Sequence, residues 1–237
     1  MFAKSKRLCF FLGHLSFSVI IAIILIALVF YIWYPAPLSY AEGVIYIFLM
    51  LLVIDVIIGP ALGWLVYKEG KKTLKIDLFI IIVIQTLAML YGVYSIFQSR
   101  PAWIVQNGGI FQLVRANTIL PEDQTAAKQQ YQKNSWLSPQ WVAIDNNHPK
   151  YNYYGEQTLV PNLYTDLNFA KSRIQNYAKP FISLKEFNSE QEIEKNLDKY
   201  PEADAWMPLR TTGAGLVVLV NREQGQVVKV VNLRPWK

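Results

Sequence analysis

The chain has 237 residues, 53% of them apolar, one cysteine and a formal net charge of +6. A single Cys9 excludes an intramolecular disulfide and any cysteine-type metal site. Residues 1–98 hold seven Lys/Arg against four Asp/Glu and the remainder sixteen against thirteen; with no clustered basic face and no nucleic-acid motif, nucleic acid is excluded as a partner.

The apolar residues are unevenly spread. Residues 1–98 carry nearly all the long apolar runs and read as a three-span membrane module, whereas residues 99–237 read as a mixed polar–apolar domain. Lys4, Lys6 and Arg7 lead an apolar run over 8–33. This run exceeds the roughly 7–15-residue core of a secretion signal and two more apolar segments follow, so it is read as a retained helix. The second span covers about 44–67 and the third about 78–97, each near the ~20 residues that cross a hydrocarbon core. The loop at 34–43 has no Lys/Arg, while the next has Lys68, Lys71, Lys72 and Lys75. The positive-inside rule then predicts a cytoplasmic N-terminus, a cytoplasmic lysine loop, and an outer position for everything after Gln98. Trp33, Tyr34, Tyr46, Trp64, Tyr67 and Tyr91 fit near the interfaces.

Asp55 falls at the middle of the second span, where an ionised carboxylate costs about 2.5–3.5 kcal/mol, so it is expected either to face a partner or to be protonated. Gly59 and Gly63 follow at i+4 and i+8, so the three share one helical face, and Gly59-x-x-x-Gly63 lets a neighbouring helix approach closely. Pro60 has no amide hydrogen and predicts a kink. Gln85, at similar depth in the third span, is placed to donate to Asp55. Three readings stand for this face: a clamp within the hairpin, a docking face for a partner's helix, or a proton or ion path. His14 reads as a packing or interfacial residue.

In the second half, β-rich runs at 103–106 and 110–114 flank Asn107-Gly108-Gly109, a hairpin signal. A polar helix is expected over 121–134, acidic at its start, and a short strand over 141–145. Tyr151, Tyr153 and Tyr154 form an aromatic loop that either presents an interaction surface or packs on its own domain. Asn162 is a candidate N-cap for an amphipathic helix through Leu163, Leu167, Ala170, Ile174 and Tyr177. Ser189-x-x-Glu192 is a capping box with Ile193, Leu197 and Tyr200 on the buried face. Strands at 206–210, 216–220 and 227–233 end the chain. The fold class is a membrane module of three transmembrane helices followed by an α+β domain with a C-terminal antiparallel meander.

Catalytic signatures are missing. His148 is the only histidine outside the membrane module, and there is no G-x-S-x-G, H-E-x-x-H or phosphate-binding glycine loop. The chain is read as a non-enzyme without cofactor or metal. A membrane enzyme or transporter using Asp55 and a membrane-anchored sensor are the rival classes.

Two sets of stretches resemble the type IV pilin accessory proteins: FYIWYPAPL with DVIIGPALGWLVYKEGKKTLKIDL, and ADAWMPLR with VVLVNREQGQVVKVVNLRPW. The resemblance implies a multi-pass protein of the bacterial inner membrane with a periplasmic C-terminal domain. It further implies action on a cognate major type IV pilin, beside other inner-membrane assembly components. The family's hairpin after the third span carries Asp-Arg-Phe. Here Gly108-Gly109-Ile110-Phe111 stands in that place, so Phe111 matches as a candidate contact and the acidic–basic pair is absent.

Overall fold

A computed structural model of the chain describes residues 5–153 and 155–236. Among the described residues three helices are long and apolar enough to cross a membrane: Lys6–Trp33, Val44–Val66 and Leu74–Gln98, the first, second and third spans. They suit a bilayer because a helix satisfies every interior backbone group within itself. The chain forms two compact units, one of Met1–Ile32 with Gly43–Phe97, the other of Trp33–Glu42 with Gln98–Lys237.

Within the first unit, the kink expected at Pro60 takes the form of one wide helical turn over Val53–Ile58. There the Gly59 N–H reaches back five residues to Ile54 O instead of four to Asp55 O. A similar wide turn, Leu28–Trp33, closes the first span.

The second unit is α+β, built on a curled seven-stranded sheet in the order β4 (Tyr164–Asp166), β3 (Gln140–Ile144), β1 (Pro101–Asn107), β2 (Ile110–Arg115), β5 (Ala205–Arg210), β6 (Leu216–Asn221) and β7 (Gln226–Val231). β1 (Pro101–Asn107) and β2 (Ile110–Arg115) form the expected hairpin, with Asn107 opposite Ile110 and Gly108 at φ 57° in the turn. Glycine takes that left-handed conformation without a Cβ penalty. β3 (Gln140–Ile144) runs parallel to β1, and β2 runs parallel to β5 (Ala205–Arg210). β5, β6 (Leu216–Asn221) and β7 (Gln226–Val231) complete the antiparallel meander. The Val/Leu run of β6 is buried from Leu216 to Val220, whereas β7, paired on one side only, is buried less.

Strand alternation divides the core. Ile104, Phe111, Met207 and Val218 face a central cluster closed by Ile174 of the helix Lys171–Tyr177. On the other face, Trp103, Val105 and Val142 join Tyr131 and Tyr164, while Trp206, Val217 and Leu219 join Leu184 and Ile193. The last cluster is held by the helix Glu190–Leu197, whose Ser189/Glu192 capping box is formed as expected.

Two expectations need correction. The helix over 121–134 stops at Ala126, and Gln129–Tyr131 forms a separate tight turn. A polar helix without an apolar stripe has little tertiary packing to extend it, and Tyr131 instead sets its ring at 6.0 Å from both Trp103 and Tyr164. The amphipathic helix from 163 survives only as Lys171–Tyr177. Its first part is β4 (Tyr164–Asp166), paired with β3, followed by a tight helical turn Leu167–Ala170 that is capped by Asp166 in place of Asn162, the Asp166 side chain accepting from Asn168 N–H at 2.7 Å. Pairing with β3 and burial of Leu163 and Tyr164 outweigh helical periodicity there.

Candidate functional site

Pro60 sets up the polar centre of the first unit. Asp55 O would ordinarily accept from Gly59 N–H, but that donor is diverted to Ile54 O, and the next residue in line, Pro60, has no N–H to offer. The carbonyl is therefore left without a backbone donor, which is costly in an apolar setting. Gln85 of the third span supplies one: its Nε2 lies 2.8 Å from Asp55 O and 2.7 Å from Asp55 Oδ1, with Ser18 Oγ of the first span at 3.3 Å. One amide thus ties backbone and side chain of the second span to the third and reaches the first. Asp55 is 5% exposed and Ser18 2%.

The glycines make this approach possible. A Cβ at Gly59 would overlap the Gln85 amide, with Nε2 only 2.6 Å away. Gly59 is therefore the slot in which Gln85 lies, and Gln85 Oε1, turned to the same slot, has no hydrogen-bond partner among the described residues. One turn further on, a Cβ at Gly63 would stand 2.9 Å from Phe10 Cε1 and 3.5 Å from His14 Nδ1, so this glycine seats the first span. Near the end of the second span, Arg7 Nε donates to Trp64 O at 2.8 Å and its guanidinium stacks 4.3 Å above the Trp64 ring. The structure thus brings Asp55, Gly59 and Gln85 into one cluster, with Gly63 and Pro60 buried beside it. A cavity of about 400 Å³ opens next to the cluster and is lined by Asp55, Gln85 and His14.

The residues proposed as contacts in the second unit behave differently. Phe111 is fully buried in the central cluster, edge-on to Trp141 at 5.4 Å, so it is a core residue and offers no surface to a partner. Tyr151 is half-buried and packs on the cluster around Trp103. The Tyr153 side chain and Tyr154 lie outside the described part of the structure.

The segment Trp33–Glu42, expected from the sequence as the end of the first span and an outer loop without Lys or Arg, belongs to the second unit. Leu38–Ala41 forms a helical turn, and Leu38 and Ala41 enter the central cluster. The Glu42 side chain is 1% exposed; its Oε2 lies 2.5 Å from Arg115 Nε and its Oε1 accepts Thr212 N–H at 3.1 Å. Ala214 N–H donates to Ala41 O at 3.1 Å, and Tyr34 Oη meets Ser99 Oγ at 3.2 Å. Burial raises the Tyr34 phenol above its ordinary pKa. The available signal was Glu42 itself, the one charged residue of an otherwise uncharged loop.

Comparison with known proteins gives these features a context. Residues 3–43, the first span together with the segment that enters the second unit, match the family model described as fimbrial assembly protein FimB. The chain is 28% identical over 133 residues to the fimbrial assembly proteins of Dichelobacter nodosus serogroups E1 and I, covering 55% of this chain and 52% of each relative. It is 35% identical over 112 residues to the fimbrial assembly protein of serogroups C1 and C2 of the same organism, covering 46% of this chain and 86% of that relative. The chain thus spans about half the length of the first two relatives and most of the third. No solved structure matches. On the strength of the third relative and the family model, the chain belongs to the fimbrial assembly protein FimB family.

Proposed function

We propose that the chain is a non-catalytic accessory factor of the bacterial inner membrane that binds a cognate major type IV pilin and promotes its assembly into fimbriae. The observation that carries this reading is family membership in a chain that joins three membrane-length helices to a separate α+β unit. A helix-anchored pilin has a membrane part and a globular part. A partner with one unit for each raises the effective concentration of the second contact once the first has formed, so neither contact need be tight. The positive-inside charge pattern supports a cytoplasmic N-terminus and a periplasmic second unit.

The test is deletion and complementation with the full chain, read as surface fimbriae and as crosslinking to the major pilin in intact membranes. Loss of fimbriae with unchanged pilin transcription, restored together with the crosslink, is expected. Normal fimbriae in the deletion strain would overturn the role. The runner-up, an Asp55-dependent transporter or membrane enzyme, is favoured only by the cavity beside that carboxylate. It requires a solute- or proton-dependent activity that Asp55→Asn removes.

A further inference from the structure

We infer that the open side of the three-span unit is a seat for a fourth membrane helix, contributed by another chain and carrying a basic side chain opposite Asp55. The inference rests on the accessory reading above and adds the chemistry of the contact. Three observations converge on it. First, Gln85 engages one Asp55 carboxylate oxygen, while the other accepts no hydrogen bond among the described residues. Second, that carboxylate lines a cavity of about 400 Å³ whose remaining wall comes from the first and third spans, with Ser18, Ile82, Thr86 and Met89 among its residues. Third, the spans enclose little of one another: 33% of the most apolar window of the second span is buried, against 17% of the first and 6% of the third.

A carboxylate at membrane depth is stabilised by an opposite charge, which is how intramembrane ionisable residues usually appear. The lysines and arginines of the spans do not supply that charge: among the described residues Lys6, Arg7, Lys68, Lys71, Lys72 and Lys75 all stand at or near span ends, and Arg7 is engaged at Trp64. His14 lines the same cavity, but its Nδ1 makes no hydrogen bond among the described residues, to Asp55 or to any other group. A second copy of the chain has the same distribution and so brings no Lys or Arg to the depth of Asp55. The occupant that fits the charge is a helix of a different chain. Its small-residue or aliphatic face would meet Ile82 and Met89, and its basic group would reach the open carboxylate oxygen.

The test uses the full chain in lipid nanodiscs with synthetic membrane-spanning Leu/Ala peptides that carry Lys, Gln or Leu at the central position. Peptide binding is titrated, and a photo-crosslinking residue at Ile82, which lines the cavity, is compared with one at Ile84, which does not. The Lys peptide is expected to bind about tenfold more tightly than the Leu peptide, in line with polar contacts between membrane helices. It is also expected to crosslink at Ile82 and not at Ile84. Asp55→Asn keeps an acceptor for Gln85 while removing the charge, and is expected to bring the Lys/Leu ratio to about one. Thr86→Phe, which fills the cavity and leaves Asp55 in place, is expected to reduce binding of all three peptides. Equal binding of the Lys and Leu peptides, an unchanged ratio in Asp55→Asn, or equal crosslinking at Ile84 would each overturn the seat. Because no fimbria is involved, these failures leave the accessory role standing. Normal fimbriae on deletion would overturn that role without touching this measurement.

Discussion

Replacing Gly59 by alanine tests whether the Gln85 amide is held by the gap that glycine leaves. The new Cβ would fall on the amide, and two hydrogen bonds, at 2.7 and 2.8 Å, depend on its position. Polar contacts between membrane helices contribute about 0.6–2 kcal/mol each, so moving Gln85 away is expected to cost roughly 1–3 kcal/mol. Alanine has the better helix propensity by about 1 kcal/mol, which offsets part of this. Gln85→Ala removes the same bonds and is expected to cost about the same. The decisive measurement is the pair. In the Gln85→Ala background nothing occupies the slot, so Gly59→Ala is expected to be neutral or slightly stabilising, giving a coupling of about 1–3 kcal/mol. Unfolding of detergent-solubilised protein, followed by helical signal against denaturant, reads all four corners of the cycle. Additive costs would refute the slot, because two independent defects add and two views of one contact do not.

Three further outcomes follow from other parts of the molecule. Arg115→Ala leaves the Glu42 carboxylate buried with Thr212 N–H as its one remaining donor among the described residues, and is expected to destabilise the second unit by about 3 kcal/mol, read as a lowered thermal midpoint; a change below about 1 kcal/mol would mean the pair is dispensable. Burial raises the pKa of Tyr34, Tyr131 and Tyr164, so their stabilising effect is complete below the ordinary phenol value near 10 and declines as pH rises from there towards the folded values. Phenolate absorbance should therefore lag behind that of the other tyrosines until the unit unfolds; simultaneous titration of all fourteen would contradict the burial. For the membrane arrangement, a periplasm-dependent reporter is expected to be active after Gln98 and inactive at Lys72, and activity at Lys72 would reverse the orientation.

How much of this was legible in the sequence depends on the range of the forces involved. The spans, the capping box at Ser189, the Asn107–Ile110 hairpin and the terminal meander rest on local periodicity and turn chemistry, and each appears where those signals stand. The partnership of Asp55 with Gln85 follows from depth alone. Its cause does not: the orphaned Asp55 carbonyl arises only once a wide turn displaces the donor of Gly59, a choice of hydrogen-bond register that Pro60 permits but does not dictate. Periodicity misled at 163–170, where the residues between Leu163 and Leu167, which the spacing passes over, pair as β4 with a distant strand, while 171–177 is helical as expected. Phe111 carried a family resemblance, yet its place in the pleat turns it inward against Trp141. The role of Glu42 was hidden because Arg115 is 73 residues away.

That last contact changes what counts as the second unit. A fragment beginning at Gln98 contains all seven strands of the described sheet, and by strand count is a complete domain. It lacks Leu38 and Ala41 from the central cluster, the Ala41 carbonyl that accepts from Ala214, and the carboxylate opposite Arg115. Burying Leu38 is worth about 1.5–3 kcal/mol, and a typical hydrogen bond about 1 kcal/mol. With the Glu42 contacts included, the loss is roughly 4–6 kcal/mol, a large share of the about 5–15 kcal/mol that holds a domain folded. The fragment 98–237 is therefore expected to be marginal, with a low thermal midpoint and dye-binding apolar surface. The same fragment with residues 33–42 returned through a flexible linker should unfold cooperatively at higher temperature. Gly213→Ala gives an independent check, because its Cβ would overlap Ala41 O; it should destabilise the linked protein and leave 98–237 unaffected. Equal stability of the two fragments would show that the segment merely lies on a domain already complete without it. If the linked form alone is stable, the stretch matched by the family model is more than an anchor: it carries the first span and a structural element of the second unit on one continuous piece of chain.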